Sequence, residues 1–454
     1  MIKSGMRVAR LNFSHGNLSE HKKNIKLIKS VSTKLNQIIT ILIDLPGSKI
    51  RVGKLQSEPI TLKKGDRVTL TTKDVLGKSN LIPVTYKKLT ESVRKGNKIY
   101  INDGLVELKV EEASSDEVHC KVIIGGIILS HKGINIPEGK IFLESVTDED
   151  IKIVDFGLKQ GVNTFGVSFI QNADDILKVR EYARKKGKSV YLIGKIERRE
   201  AIRNFDEILD VVDGVMIARG DLGLEIPIQE VPVVQKELIR KANLASRPVI
   251  TATQMLESMT DNTRPTRAEV TDVANAILDG TDAIMLSEET AIGKYPVETV
   301  QMMAKISAYI ERSRNIKSFE YNLRDYLKNQ ISSDCVSIAD VISLNVIEAT
   351  EVLKIRYIVT PTESGNTARR ISRFKPGCWI LAFSRNKDTC GFLTLSYGVY
   401  PFFTENKTNS WHDILLDFIK KVSLVKKGDK VILTQRRFAK QKGGTDSLGI
   451  ITMN

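Results

Sequence analysis

Cysteine is scarce, with Cys120, Cys335, Cys378 and Cys390 the only four in 454 residues, and none shows paired spacing or histidines at zinc-like intervals. That excludes a disulfide framework or a metal cluster and reads as reduced thiols in the cytoplasm. Long apolar runs are missing too. The richest, around residues 38–43, falls far short of the ~20 residues that cross a bilayer. Residues 1–16 lack the apolar centre of a secretory leader. No RNP, KH or zinc-finger pattern, internal repeat or low-complexity tract occurs. A membrane or nucleic-acid partner is therefore not expected.

What is present is an ordinary globular composition, 41% hydrophobic and 27% charged, with an unusual net charge of +15. Such charge suits nucleic acid, a membrane surface or small polyanions. The lysines are scattered, which leaves anionic substrates as part of the explanation and lysine-rich coding for the rest. The length allows two to four domains.

Seven short apolar segments are each followed by a polar loop and a helical pattern. They are MRVARLNFS (6–14), IITILIDL (38–45), VNTFGVSFI (162–170), VYLIGKIE (190–197), GVMIARGDLG (214–223), PVITATQML (248–256) and AIMLSEET (283–290). Helices are expected over 173–186, 233–245 and 267–276. This repetition predicts a parallel sheet and an α/β fold of the (β/α)8 TIM barrel class, with the first βα unit apparently missing. A doubly wound sheet is the shorter alternative, and seven same-direction units favour the barrel. Residues 1–5 read as a helix tail ending at Gly5. A barrel one strand short would have two unpaired edges, so lower stability and weak nucleotide binding are expected of it. Between residues 50 and 133, period-two alternation with turns at Lys64-Gly65, Asp103-Gly104 and Gly125-Gly126 predicts an all-β lid. The expected domains are residues 1–48 and 134–314 for the barrel, 49–133 for the lid and 330–454 for a C-terminal α/β domain. A polar connector covers 315–329, and the last domain includes a helix from Trp411.

Barrel sites gather at the carboxyl ends of the strands. Lys195 and Glu197 project to the same side of one strand. They could form a structural ion pair, but the next unit brings Asp221 beside Glu197. Two rim carboxylates with open positions for substrate oxygens suit Mg²⁺. Gly220 would let the backbone of Ala218, Arg219 and Asp221 approach a bound anion. Arg10 suits bidentate phosphate recognition, with Asn12 and Ser14 supplying neutral oxygens, although Ser14 could simply cap a helix. Asp44 and Arg51 add charge at the same mouth. Thr253 places a hydroxyl at its strand end, and Ser287 and Glu289 close the last unit.

RLNFSHG, KIE, ARGDLG, TATQMLESM, RPTRAEVTDVANAILDGTDAIMLSEETAIGKYPVETV and KGINIP together resemble the pyruvate kinase family, in that family's order and over nearly the whole chain. The run from Arg264 is highly specific, whereas KIE alone would mean little. The resemblance implies Mg²⁺-dependent phosphoryl transfer (Mn²⁺ as a substitute) from phosphoenolpyruvate to ADP, giving pyruvate and ATP, in a cytoplasmic homotetramer. It implies that Lys195 stabilises charge on the transferred group and that Glu197 and Asp221 ligate the metal. It further implies that the amides of 218–221 and Thr253 hold the substrate carboxylate, and that Arg10 and Arg51 meet phosphate. Thr253, Ser287 and Glu289 are implied as the proton relay, and Arg10, His15 and Lys132 as the nucleotide side. A lyase acting on oxo-acids without nucleotide, and a truncated inactive paralogue, are the competing readings.

The chain departs from the family where potassium is held by Asn, Ser, Asp and Thr. The matching positions are Asn12, Ser14, Asp44 and Leu45, and Lys49 replaces the family's glutamate. A lysine ammonium can take over a bound cation's role, so potassium-independent activity is expected. Glu288 stands where the family often has a small residue. Near the C-terminus, Thr362, Ser364, Gly365, Asn366 and Thr367 resemble an effector-phosphate loop, with Glu363 adding opposing charge. Arg369, Arg370 and Arg373 could compensate that charge or form a solvated face.

Overall fold

A computed structural model describes residues 1–313, 337–405, 425–435 and 445–453. The connector at 315–329, Cys335 and the helix expected from Trp411 lie outside these residues.

Seven strands run parallel in chain order: β1 (Val8–Asn12), β2 (Thr40–Asp44), β3 (Thr164–Val167), β4 (Tyr191–Ile196), β5 (Gly214–Ala218), β6 (Val249–Ala252) and β7 (Ala283–Ile284). Each pairs with the next, and among the described residues no ladder joins β7 to β1. The sheet curls as a barrel wall with an open seam there. Ile2–Ser4 forms a 3₁₀ turn ahead of β1, closed by Gly5 at φ +120°.

These strands are nearly continuous apolar runs because both faces are covered. Alternate residues such as Ile41, Ile43, Phe165, Val167, Leu192 and Ile196 pack outward against the helices. Leu42, Ile193, Met216 and Ile250 point into the barrel instead. The helices behind the strands start reproducibly. Asn17 with Glu20, Thr147 with Asp150, Asn172 with Asp175 and Thr266 with Glu269 each form a reciprocal capping box.

Two expected strands are shorter than their apolar runs. The run 214–223 leaves the sheet at Ala218 and continues as the helix Arg219–Glu225. The last run contributes only Ala283–Ile284, and Glu288–Ala291 is helical, since Glu288 and Glu289 suit a helix's first turn.

The lid is built on a six-stranded sheet over its own apolar core, which includes Leu70, Ile82, Ile99 and Leu108. Ile134–Asn135 pairs with Ile101 and Tyr100, so this sheet runs past Gly133. The C-terminal domain has β8 (Tyr357–Pro361), β9 (Trp379–Ser384), β10 (Val399–Phe403), β11 (Lys430–Gln435) and β12 (Ser447–Thr452). Its order is β10-β9-β8-β11-β12, parallel except for the final pair. This domain plugs the barrel. Phe392 and Leu395 join Leu42, Ile193, Met216 and Ile250 in one cluster, and Phe392 stacks on Tyr191 at 4.2 Å. The C-terminal domain thus covers the amino end of the barrel, which leaves the carboxyl end for chemistry.

Candidate active site

Alternation carries polar residues inward at the carboxyl ends of β1 to β4. Asp44 follows Leu42, Lys195 follows Ile193, and Glu197 completes the series. Lys195 Nζ lies 2.9 Å from Glu197 Oε1, 3.1 Å from Asp44 Oδ1 and 2.8 Å from Ser168 Oγ. Arg10 Nε donates to the other Asp44 oxygen at 2.6 Å. Gly166 makes the room: a Cβ there would come within 3.3 Å of Asp44 Oδ1 and 3.6 Å of Lys195 Cδ.

The electrostatics follow from burial. Burial alone would lower the Lys195 pKa, but the Asp44 and Glu197 carboxylates beside it raise it overall, so the amine stays charged. Burial would raise that of Asp44, yet Lys195 and Arg10 hold it below the ordinary carboxylate value. Glu197 is shifted up by burial and by the neighbouring Asp221 carboxylate, against the pull of Lys195. Its second oxygen accepts the Phe169 amide at 2.6 Å.

Lys49 reaches down from the lid side and donates to Asp221 Oδ1 at 2.8 Å. Gly133 clears its path, since a Cβ there would meet Lys49 Cε at 2.5 Å. The ring of Phe169 is flanked by Lys49 and by Arg198, at 5.7 Å and 5.5 Å from its centroid.

Thr253 and Gln254 sit at φ +70° and +53°, a strained left-handed turn for non-glycine residues. The turn aims the Thr253 hydroxyl at the start of helix Arg219–Glu225, where it accepts the Gly220 amide at 2.9 Å. That amide is therefore already engaged, and a Cβ at Gly220 would make only ordinary contact. Arg219 turns away: its guanidinium holds Asp272 at 2.7 Å and the Thr253 carbonyl at 2.7 Å. Only its backbone faces the cleft.

Several expected residues are arranged differently. At the potassium-equivalent positions, Asn12 and Asp44 are paired neighbours on β1 and β2. Asn12 Oδ1 accepts the Ser14 amide, and Leu45 packs into the strand–helix core. Lys49 pairs with Asp221, not with Asp44. Glu289 spends both oxygens on backbone amides, of Leu256 at 3.2 Å and Ser287 at 2.6 Å, and so braces two loops. The Arg51 guanidinium donates to the His131 carbonyl of the lid. His15 is exposed, its carbonyl hydrogen-bonded to His21, and Lys132 is half-buried at the lid margin.

The effector-like loop is also internally bonded. Thr362 Oγ1 accepts the Gly365 amide, Asn366 accepts from Arg369, and Thr367 pairs with Thr445. The Ser364–Gly365 stretch opens a helix only seven residues long. Arg370 and Arg373 both bind Asp340, so neither answers the charge of Glu363.

Family comparison decides what this cleft belongs to. The family model described as pyruvate kinase, barrel domain, matches residues 1–300, and that described as pyruvate kinase, alpha/beta domain, matches residues 340–451. A pyruvate kinase from Thermococcus litoralis is 51% identical over 99% of this chain and 94% of its own length. The chain belongs to the pyruvate kinase family. A pyruvate kinase from Thermotoga maritima is 40% identical over 96% of this chain and 91% of its own. The crystal structure of a pyruvate kinase from Cryptosporidium parvum superposes with a TM-score of 0.91 at 36% identity, covering 100% of this chain and 92% of that one.

Pyruvate kinases are phosphotransferases that depend on a divalent metal, and the cleft here fits one. Glu197 and Asp221 offer hard oxygen ligands, and burial, with the Asp221 charge adding to it, raises the Glu197 pKa, a penalty that a shared cation relieves. Lys49 already stands in for such a cation at Asp221.

Sequence reasoning missed Ser168, Phe169, Arg198 and Glu225. Ser168 was within reach, because alternation from Gly166 turns it inward. Phe169 gave no signal, since its role is carried by a backbone amide at φ +54°.

Proposed function

We propose that this chain transfers the phosphoryl group of phosphoenolpyruvate to ADP, with Mg²⁺ and without potassium, giving pyruvate and ATP in the last step of glycolysis. The observation that carries the reading is one buried lysine held charged between Asp44, Ser168 and Glu197, one strand away from Asp221. Lys195 is the group that stabilises negative charge on the moving phosphoryl. Arg10, fixed by Asp44, and Arg51 orient phosphate. Glu197 and Asp221 would hold Mg²⁺, which supplies a Lewis acid for the substrate oxygens. The amides of 218–221 and the Thr253 hydroxyl seat the substrate carboxylate, the Gly220 amide exchanging its bond to Thr253 for one to the substrate. Thr253 also delivers a proton toward the enolate carbon, with Ser287 beside it on a loop that Glu289 braces. His15 and Lys132 belong to the nucleotide side. Lys49 supplies the positive charge that potassium gives other members.

The reading carries with it the division into barrel (1–48, 134–314), lid (49–133) and C-terminal domain (330–454), a cytoplasmic location and a homotetramer. Among the described residues no helix is long and apolar enough to cross a membrane.

A lactate dehydrogenase-coupled assay tests the activity. Pyruvate release should require both ADP and Mg²⁺. Release without nucleotide would instead point to a lyase. At constant ionic strength, exchanging tetramethylammonium for potassium should leave kcat within about twofold, and a large activation would overturn the role given to Lys49.

A further inference from the structure

Away from the cleft, where the C-terminal domain meets the barrel floor, a small, partly open pocket is lined by Asn243, Ser246, Arg247, Asp282, Arg369, Arg373 and neighbouring residues. Its wall is rich in buried donors. Arg369 Nη1, Arg373 Nε and Ser396 Oγ each lack a hydrogen-bond partner, and their residues are only 7%, 4% and 6% exposed. Leaving three such groups buried and unpaired carries their full desolvation penalty, so something that accepts hydrogen bonds belongs there.

Charge points the same way. Arg369 has Asn366 and the Phe392 ring as neighbours, and Arg247 donates to the carbonyls of Leu209 and Asp210. Neither guanidinium is in ion-pair contact with a carboxylate among the described residues. The nearby acids are spoken for: Asp340 by Arg370 and Arg373, and Asp213 by Arg180. Asp282 lines the cavity, but Lys375 and the Tyr397 amide hold one of its oxygens and the Val249 amide holds the other. Burial lowers the pKa values of Arg247 and Arg369 against the pull of Asp213, with the charges of Arg180 and Arg370 adding to it at Arg247 and those of Arg247 and Arg370 at Arg369.

We infer that this cavity is a binding site for one small monatomic anion, chloride in the cell, gripped by Arg369, Arg373 and Ser396 between the barrel and the C-terminal domain. The ligand is small because the space is about that of one water molecule. It is an anion because the unpaired groups are guanidinium donors joined by a hydroxyl. Arg373 already donates to the Leu244 carbonyl and the Ser246 hydroxyl across the domain boundary. An ion on its remaining donor therefore tightens the same seam.

Crystals of the full chain soaked in sodium bromide should show an anomalous peak between Arg369 Nη1, Arg373 Nε and Ser396 Oγ. In parallel, thermal unfolding in potassium chloride should lie about 2–4 °C above that in potassium gluconate at equal ionic strength, saturating with chloride. S396A should weaken the dependence and Arg369→Gln should abolish it. No bromide peak at this position, or a chloride dependence unchanged in both variants, would overturn the assignment and leave a water in the cavity.

Discussion

Lys195 is the residue on which the cleft turns, because it answers two buried carboxylates at once. Removing its charge in Lys195→Met should lower kcat by about 10²–10³-fold, the usual effect of deleting a preorganised electrostatic group. Unfolding should also shift to lower temperature, since Glu197 loses its nearest cation. Steady-state assay beside a thermal melt checks both, and a full-rate variant would end the role proposed for the amine. Ser168→Ala is the gentler case. It removes the hydroxyl that accepts from Lys195 and donates to the Leu45 carbonyl, so kcat should fall about tenfold with little change in KM for phosphoenolpyruvate. Much of this arrangement was readable in period-two alternation, which put Lys195 and Glu197 on one side before any coordinates. The partners of Lys49 were not, because a long flexible side chain can reach several acids and only the packing at Gly133 and Phe169 selects Asp221.

The lid meets the barrel through a few specific contacts. Asn135, at the end of the lid sheet, donates to Glu225 of the Arg219–Glu225 helix at 3.3 Å. The turn at Gly104 closes on Leu224, where a Cβ would come within 2.8 Å. Burial pushes the Glu225 carboxyl up to about 7, the Asn135 contact and Arg198 opposing it. A folded value above the unfolded one means that the native state binds the proton more tightly. The resulting stabilisation is complete below about pH 4.5 and is lost as the pH rises to 7, a change of roughly 3 kcal/mol. Glu225→Gln should flatten that limb of the stability profile. Urea melts at pH 5 and pH 8 decide it, and a limb of unchanged slope would remove Glu225 as its source. Element order was well predicted because apolar runs and the helical patterns between them are local signals. The early ends of β5 and β7 were not, since an apolar run does not say whether it continues as strand or helix.

For the molecule as a whole, the C-terminal domain is the floor of the barrel. Phe392→Ala should therefore destabilise the barrel as well as its own domain, by about 3–5 kcal/mol. In calorimetry the barrel transition should move with the mutation, and a shift confined to a separate C-terminal transition would show that the floor is not shared. Three domains and their order could be inferred from composition and turn spacing. Their docking could not, because Tyr191 and Phe392 lie far apart in the chain and neither looks like an interface residue in isolation.

The ammonium of Lys49 on Asp221 has a consequence for how the protein behaves in a chelator. An empty pair of acids would repel each other and loosen the mouth, but here a tethered positive group keeps the pocket neutralised. Stripping divalent ions with EDTA should therefore silence turnover while moving the melting temperature by no more than about 1–2 °C. In Lys49→Met the same treatment should cost distinctly more, because nothing then takes the ion's place.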